Sequence, residues 1–231
     1  MDVISLVLNF FAQSHVGNTE LGNVQGVSGL HILDIYRNAL LVHGHYSAWS
    51  ICVPRSVVAL REAGVQFSTS ESKGFKDISF SNGVLSLPPI DIDNTTEAIL
   101  RNLIAFENVR GDNEVTAYVF FMDSLIDSGK DVALLREKGI IKGWFGTDED
   151  IASLFNNLTK EVTIILTPGK GVDVTKQLSD YCSRSWNEWR ANFVHTYLRN
   201  PWVFISLLAA FILLVITVVQ TVYGVLSYYH S

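Results

Sequence analysis

The stretch from Pro201 to His230 contains no Asp, Glu, Lys or Arg, and it limits what this chain can fold into more than any other feature. Its central part, from Val203 to Val222, matches the helix length that crosses the roughly 30 Å hydrocarbon core of a bilayer. Aromatic residues at its two ends, which suit the headgroup level, are Trp202, Tyr223, Tyr228 and Tyr229. The pattern predicts a single transmembrane helix over residues 201–226, with the lipid bilayer as a partner.

The rest of the chain has an ordinary globular composition. All 17 Lys and Arg and all 23 Asp and Glu lie before Pro201, and the formal net charge is −6. Nucleic-acid binding calls for a clustered basic face, so this mild acidity argues against it. Cys52 and Cys182 are far apart, and we predict two buried reduced thiols rather than a disulfide.

The charges around the stretch predict an orientation. Arg184, Arg190 and Arg199 precede it and no Lys or Arg follows, which places the large domain in the cytosol by the positive-inside rule. The first residues include Asp2 where a signal peptide has basic residues, and no cleavage site follows. We therefore expect a tail-anchored, single-pass protein of the plasma membrane or endomembranes.

Two N-glycosylation triplets bear on the opposite orientation. Asn94-Thr95-Thr96 and Asn157-Leu158-Thr159 are acceptor sequences, so Asn94 and Asn157 are possible glycosylation sites if the domain is luminal. Both lie in helix-forming sequence, and such triplets often arise by chance. The cytosolic orientation remains the prediction.

The pattern before the stretch predicts a mainly α fold with one small β-hairpin. Asn82-Gly83 between alternating apolar residues predicts a hairpin at about residues 75–90, because both positions tolerate positive φ. We divide the chain into a helical domain (1–175), a juxtamembrane amphipathic helix (176–200), the transmembrane helix (201–226) and a short tail (227–231).

Helices are marked by their apolar spacing and by their capping residues. After Gly29, one side of a predicted helix holds Leu30, Leu33, Leu40 and Leu41, and the other holds Asp34, Arg37 and Asn38. Asn94 is predicted to begin a helix with Glu97 as its capping partner, and Thr147 to do so with Asp150. Val115 to Ile126 is apolar on most sides, which predicts a central buried helix.

The segment before the apolar stretch carries a row of apolar and aromatic residues at helical spacing. The row consists of Leu178, Tyr181, Cys182, Trp186, Trp189, Phe193 and Tyr197. Two interpretations are open. The row packs against the domain, or it lies in the membrane interface, where Trp and Tyr favour the headgroup level.

No strong catalytic motif is present. His43 and His45 form the one close histidine pair, but no further ligands stand at a recognisable spacing. The acidic cluster Asp91–Asn94 lacks the glycine and glutamate of a calcium loop, and residues 169–171 lack the spacing of a P-loop. Arg101 and Glu107 are expected to form ion pairs with other buried groups. We predict no catalytic residue, no metal and no cofactor.

Several long strings resemble one plant family. They are HILDIYRNALL, VPRSVVALREAGVQF, DISFSNGVLSLPPIDIDNTTEAILRNLIAFE, VTAYVFFMDSLID, DVALLREKGIIKGWFGTDEDIASLFNNL and YLRNPWVFISLLAAFILLVITVVQTVY. In this order they are similar to the plant family called domain of unknown function 247. The resemblance covers nearly the whole chain from about His31.

This resemblance implies a plant membrane protein with a carboxy-terminal span and no established enzymatic activity. Some members of the family are implicated in pollen–stigma self-incompatibility in grasses, and the family supplies no catalytic residues. Members usually carry a substantial amino-terminal half that we expect this chain to lack. The leading hypothesis is a non-enzymatic protein-interaction or recognition module with a protein partner of unknown identity. The alternatives are a membrane-tethered enzyme, with His43 and His45 tested first, and a non-functional truncated copy.

Overall fold

The computed structural model describes residues 29–41, 55–72, 74–143, 146–160, 174–183 and 201–230, and in the last range it describes the side chains of residues 205, 206 and 208–223. The helices are α1 (Ile32–Leu41), α2 (Val57–Glu62), α3 (Thr96–Arg110), α4 (Glu114–Leu125), α5 (Gly129–Glu137), α6 (Asp148–Thr159), α7 (Val174–Cys182) and α8 (Pro201–His230). The strands are β1 (Gln66–Thr69), β2 (Ser79–Ser81), β3 (Val84–Leu87), β4 (Ile90–Asp91) and β5 (Ile141–Lys142). The described fold is therefore mainly helical with small β-sheets.

The predicted hairpin is confirmed, and it belongs to a larger sheet. β2 and β3 pair antiparallel, and the turn residues Asn82 and Gly83 have φ of 51° and 81°. β3 is the central strand, because β1 pairs with its other edge in parallel register, and Phe67 stands opposite Leu85. A second, parallel pair joins β4 to β5. The sequence patterns did not predict β1, β4 or β5.

The core centres on α4, as the apolar sequence from Val115 to Ile126 predicted. Tyr118, Val119 and Met122 are completely buried. α4 packs against α1, α3 and α6, and α5 packs against α2 and α6. The ring of Tyr118 stacks on Phe75 with centroids 4.0 Å apart, which ties the loop before β2 to this core.

The helix predicted after Gly29 is confirmed as α1, and its polar side is buried as well. Asp34 and Arg37, which lie on that polar side, are each only 4% exposed. Both are buried because oppositely charged groups on α3 and in the segment that follows it pair with them. Leu30, assigned to the apolar side, precedes the helix and is fully exposed.

One predicted helix start is confirmed and one is wrong. At α6, Thr147 and Asp150 form the expected reciprocal capping box. At α3, the capping side chain is Asp93 rather than Asn94. The Asp93 carboxylate accepts hydrogen bonds from the backbone amides of Thr95 and Thr96, both at 2.9 Å.

The partner predicted for that start also differs. The Thr96 hydroxyl oxygen accepts from the amide of Asp93 at 2.9 Å, so Thr96 completes the reciprocal pair. Glu97 instead pairs with Arg101, one turn further along the helix surface. Asp93, the residue before the glycosylation triplet, therefore has the capping role that was predicted for Asn94, and Asn94 is exposed.

The row of apolar and aromatic residues that begins at Leu178 packs against the domain in its described part. Leu178 is completely buried and Cys182 is buried as a free thiol, while Tyr181 is half-buried against β2. For these three residues the packing interpretation holds. Trp186, Trp189, Phe193 and Tyr197 lie outside the described residues, as does Cys52.

The uncharged stretch from Pro201 to His230 forms one continuous helix, α8. Its described side chains are exposed to the surroundings of the chain. Within the part of the chain that the structure describes, no helix is both long and apolar enough to cross a membrane. The transmembrane assignment of residues 201–226 therefore stays a prediction, as do the boundaries at 175 and 200.

Candidate functional site

A buried ion cluster joins α1 to α3 and α4. Arg37 on α1 is at its centre, with its Nε 2.7 Å from Oε1 of Glu107 at the end of α3. Its Nη2 lies 2.8 Å from Oε2 of Glu114, the first residue of α4, and 3.6 Å from Asp112. One guanidinium thus contacts three carboxylates from two consecutive helices and the segment between them.

Glu107 is the most deeply placed carboxylate of the cluster, with a fully buried side chain. Besides Arg37, its Oε1 accepts from the amide of Val115 at 2.9 Å. Its Oε2 accepts from the amide and the hydroxyl of Thr116, at 2.8 and 2.7 Å. Glu107 therefore supplies acceptors to the first turn of α4, where backbone N–H groups have no partner within the helix.

The cluster extends to the protein surface through further ion pairs. Arg110 contacts Asp34 on α1, and its Nε lies 2.8 Å from Asp112. Lys76, in the loop before β2, lies 2.7 Å from Glu114. The members are therefore three cations, Arg37, Lys76 and Arg110, and four carboxylates, Asp34, Glu107, Asp112 and Glu114.

The electrostatics of the cluster favour a structural role. Burial by itself would lower the pKa of Arg37, but the hydrogen bond to Glu107 and the charges of Glu107, Glu114 and Asp112 outweigh it and raise the pKa. Both oxygens of Glu107 are engaged by donors that also fix the start of α4. Proton transfer or nucleophilic attack by Glu107 would require breaking those bonds. The cluster therefore fixes the positions of α1, α3 and α4 relative to one another.

A pocket of about 360 Å³ lies between the hairpin and α7. Its hairpin wall consists of residues 80–83, and its helix wall of Gln177, Asp180 and Tyr181. Phe80 and Tyr181 meet edge to face, with centroids 5.4 Å apart and planes at 73°. The pocket is within the volume range of ligand sites and combines aromatic rings, amides and one carboxylate.

Local geometry positions Tyr181 over the hairpin tip. A Cβ added to Gly83 would lie 2.8 Å from the Tyr181 hydroxyl oxygen, so the absence of a side chain at Gly83 lets the ring approach the turn. The carbonyl of Gly83 accepts from the amide of Gln66 at 2.8 Å, which fixes the turn to β1. The pocket wall is therefore held from two sides.

The structure describes only some of the predicted site residues, and it does not bring those together. His43, His45 and residues 169–171 lie outside the described residues. Asp93 binds its own helix start, and the hydrogen bonds from Thr95 and Thr96 outweigh the effect of burial and lower its pKa. Glu107 forms the expected buried ion pair, whereas Arg101 is on the surface with Glu97.

The remaining predicted residues concern the membrane and glycosylation. Tyr223 on α8 is 71% exposed, while the side chains of Trp202, Tyr228 and Tyr229 lie outside the described residues. Asn94 and Asn157 are both exposed. Among the described residues, no group of three or more His, Cys, Asp or Glu could hold a metal ion, and the expectation of no metal or cofactor stays a prediction.

Sequence reasoning predicted a buried ion pair of Glu107, but it missed the rest of the ion cluster and the pocket, both for the same reason. Both depend on contacts between segments that are far apart in sequence, such as Arg37 with Glu107 and Phe80 with Tyr181. A local signal existed only for the cluster, since Glu107 follows the apolar run of α3 by helical spacing and so lies towards the core. No local pattern indicated that α7 lies beside the hairpin.

The sequence that forms this mainly helical domain matches a protein-family model over most of the chain. Residues 1–216 match the family model DUF247, described as a plant protein of unknown function. The chain belongs to this family, as its sequence strings indicated.

Two relatives from Arabidopsis thaliana carry names without an activity. The chain is 29% identical over 178 residues to the UPF0481 protein At3g47200, which covers 75% of this chain and 37% of that relative. It is 32% identical over 170 residues to the UPF0481 protein At3g02645, covering 71% of this chain and 32% of that relative. The chain thus matches about a third of the length of these relatives. No solved structure matches it.

Proposed function

We propose that this chain is a membrane-anchored plant protein that acts by binding other proteins, with α8 as its anchor and the helical domain as its interaction module. The observation that carries the proposal is the continuous apolar surface of α8. Its exposed large apolar side chains are Ile205, Leu208, Phe211, Ile212, Leu213, Leu214, Val215, Ile216, Val218, Val219, Val222 and Tyr223.

A helix that is apolar on every side is stable only when its surface is shielded from water. Single exposed apolar residues are normal on a protein in water, but a helix that exposes them on every side is stable in lipid or inside a larger core. Counted over all 30 residues, including those whose side chains the structure does not describe, α8 is about 45 Å long at 1.5 Å per residue, against a hydrocarbon core of roughly 30 Å. Lipid is the cover we propose.

The few polar groups of α8 fit such surroundings. The hydroxyl of Thr217 donates to the carbonyl of Leu213, and that of Thr221 donates to the carbonyl of Thr217, both at 2.8 Å. These hydroxyls are therefore satisfied within the helix and need no water. We place the domain on the cytosolic side, because Arg184, Arg190 and Arg199 precede the helix.

A binding role, rather than catalysis, is favoured by how the domain uses its polar residues. Glu107, the most buried carboxylate among the described residues, accepts four hydrogen bonds that hold helices together. The hairpin pocket presents binding groups, aromatic rings and amides beside one carboxylate. Self-recognition of the kind attributed to some family members is one form of this proposal.

Membrane extraction of the full chain tests the anchor. We expect the chain expressed in plant cells to stay in the membrane pellet after alkaline carbonate treatment. A variant with Leu214→Arg and Val218→Arg should move to the supernatant, because each Arg at a helix centre costs roughly 2.5–3.5 kcal/mol on insertion. Glu71→Arg, on the exposed surface of the domain, is the matched control for added charge. Extraction of the unaltered chain by carbonate would contradict the anchor.

Crosslinking in plant membranes tests the binding role. Proteins recovered with the unaltered chain are compared with those recovered with the same chain in which α8 is kept and residues 29–183 are replaced by an unrelated soluble domain. We expect specific partners only with the native domain. Identical sets from the two chains would contradict a protein-interaction module.

A further inference from the structure

The pocket between the hairpin and α7 combines three kinds of group that together favour one ligand chemistry. Two aromatic rings, Phe80 and Tyr181, meet edge to face and form part of its wall. Among the described residues, Asp180 is the one charged residue that lines it, and the neutral polar side chains of Ser81, Asn82 and Gln177 complete the polar part. We propose that this pocket binds the guanidinium group of an arginine side chain.

The charge of the pocket selects a cation. Asp180 is exposed, and within the described part of the chain its carboxylate makes no hydrogen bond or ion pair. None of the described residues that line the pocket is a Lys or Arg that would neutralise it. A cation that enters gains the carboxylate as an acceptor and the face of an aromatic ring as a second attractive surface.

The shape of the ligand group follows from the remaining lining. A guanidinium is planar and stacks on an aromatic face, while its five N–H groups point outward in the plane. Carbonyl oxygens of Asn82 and Gln177 and a carboxylate oxygen of Asp180 are acceptors for such donors. An ammonium group has three donors and no flat face, so it uses this lining less fully.

The walls are fixed before any ligand binds, which lowers the entropic cost of binding. The turn at Gly83 is held to β1 through Gln66, and the ring of Tyr181 lies against Gly83. Leu178, which stands between Gln177 and Asp180 on α7, is completely buried and anchors that helix. The binding groups are therefore carried by ordered elements.

The test uses the full chain in lipid nanodiscs and three dye-labelled tripeptides, with anisotropy as the readout. Gly-Arg-Gly is the probe, Gly-citrulline-Gly is its neutral counterpart of the same shape, and Gly-Lys-Gly carries an ammonium. We expect Gly-Arg-Gly to bind most tightly and to weaken as salt is raised. Asp180→Asn should weaken it about fivefold, the upper range for an exposed ion pair.

Glu71→Gln is the matched control, since Glu71 is exposed two residues beyond the end of β1 and its change should leave the affinity unchanged. Phe80→Leu keeps an apolar wall and should weaken Gly-Arg-Gly more than Gly-Lys-Gly. Circular dichroism verifies that each variant is folded. Citrulline or lysine binding as tightly as arginine, unchanged affinity in Asp180→Asn, or no binding of Gly-Arg-Gly would overturn the proposal.

An arginine could reach the pocket on a partner protein or as a free small molecule. An excess of free arginine separates the two sources: it displaces the labelled peptide from a site that recognises the side chain alone, and it leaves the peptide bound to a peptide-selective site. We infer that the arginine belongs to a partner protein, and this part of the inference rests on the proposed protein-binding function. Failure of the peptide assay would leave the carbonate and crosslinking results standing, so the two proposals fail separately.

Discussion

Arg37 Nε and Glu107 Oε1 lie 2.7 Å apart, with side chains that are 5% and 0% exposed. They come from α1 and the end of α3, 70 positions apart in the chain. Desolvating two charges costs several kcal/mol each, which a good ion pair only roughly repays. The pair therefore determines how α1 docks on α3 and α4 more than it adds net stability.

Removing one member of this pair should be strongly destabilising. Arg37→Met leaves Glu107 as a buried charge without an ion-pair partner, and we expect a loss of about 3–5 kcal/mol in the free energy of unfolding. Chemical unfolding of the domain, followed by circular dichroism in mild detergent, measures it. Adding Glu107→Gln to Arg37→Met should restore part of the loss, because the unpaired charge is then gone.

Arg101→Met is the matched control for that change. Arg101 and Glu97 form an i,i+4 pair whose side chains are each 45% exposed, so its removal should cost about 0.5 kcal/mol or less. Equal losses for Arg37→Met and Arg101→Met would show that the buried cluster does not organise the helices.

A second prediction distinguishes Asp93 from its neighbour as the cap of α3. Asp93→Ala removes the acceptor of the amides of Thr95 and Thr96 and should cost about 1–2 kcal/mol. Asn94→Ala should stay within about 0.5 kcal/mol, because Asn94 is an exposed turn residue. Thermal unfolding of the two variants side by side measures the difference. A larger loss for Asn94→Ala would contradict the assignment.

The pH dependence of stability provides an independent test of the same cap. The pKa of Asp93 is lowered in the fold, so its contribution is fully present above the unfolded pKa of about 3.9 and is lost as pH falls through the folded value. Stability of the unaltered chain should therefore fall more steeply below about pH 4 than that of Asp93→Asn. Unfolding curves between pH 2 and 7 report both slopes. Parallel slopes would mean that the Asp93 pKa is the same in both states.

Local patterns predicted much of the fold. The turn at Asn82-Gly83, the capping box at Thr147 and the buried helix α4 all depend on neighbours within a few residues, and each is confirmed. β1 and the pair β4–β5 were missed because a strand of two to four residues has too few alternations to give a pattern. Their partners are also not adjacent in the chain.

The burial of the polar side of α1 could not be predicted for a different reason. Asp34 and Arg37 are spaced as a polar face, and such a face is usually solvated. Whether it faces water depends on what packs against it, and the partners Glu107 and Arg110 are contributed by α3. Burial of a charged face therefore cannot be read from one helix. The hairpin pocket could not be predicted for the same reason, because Tyr181 lines it only when α7 packs beside the hairpin.

Comparing Gly83→Ala with Gly111→Ala tests the contact between the hairpin and α7. Both have positive φ, 81° and 83°, so Ala should cost about 1 kcal/mol in backbone strain at either position. At Gly83 the new Cβ would also meet the Tyr181 hydroxyl at 2.8 Å, whereas at Gly111 nothing lies within 4 Å. We expect Gly83→Ala to be the more destabilising change in thermal unfolding, and to weaken the binding of Gly-Arg-Gly. Equal effects of the two substitutions would show that Tyr181 does not lie against the turn.

Glycan mapping tests the proposed cytosolic orientation of the domain. Asn94 and Asn157 are both exposed, so burial in the fold would not hide a glycan at either position. With the domain cytosolic, we expect no glycosidase-dependent mobility shift of the membrane-inserted chain unless a glycosylation tag is appended after Ser231. The tagged chain is the positive control, because its tag then lies in the lumen. A shift that disappears in Asn94→Gln or Asn157→Gln would reverse the orientation and with it the compartment in which partners are sought.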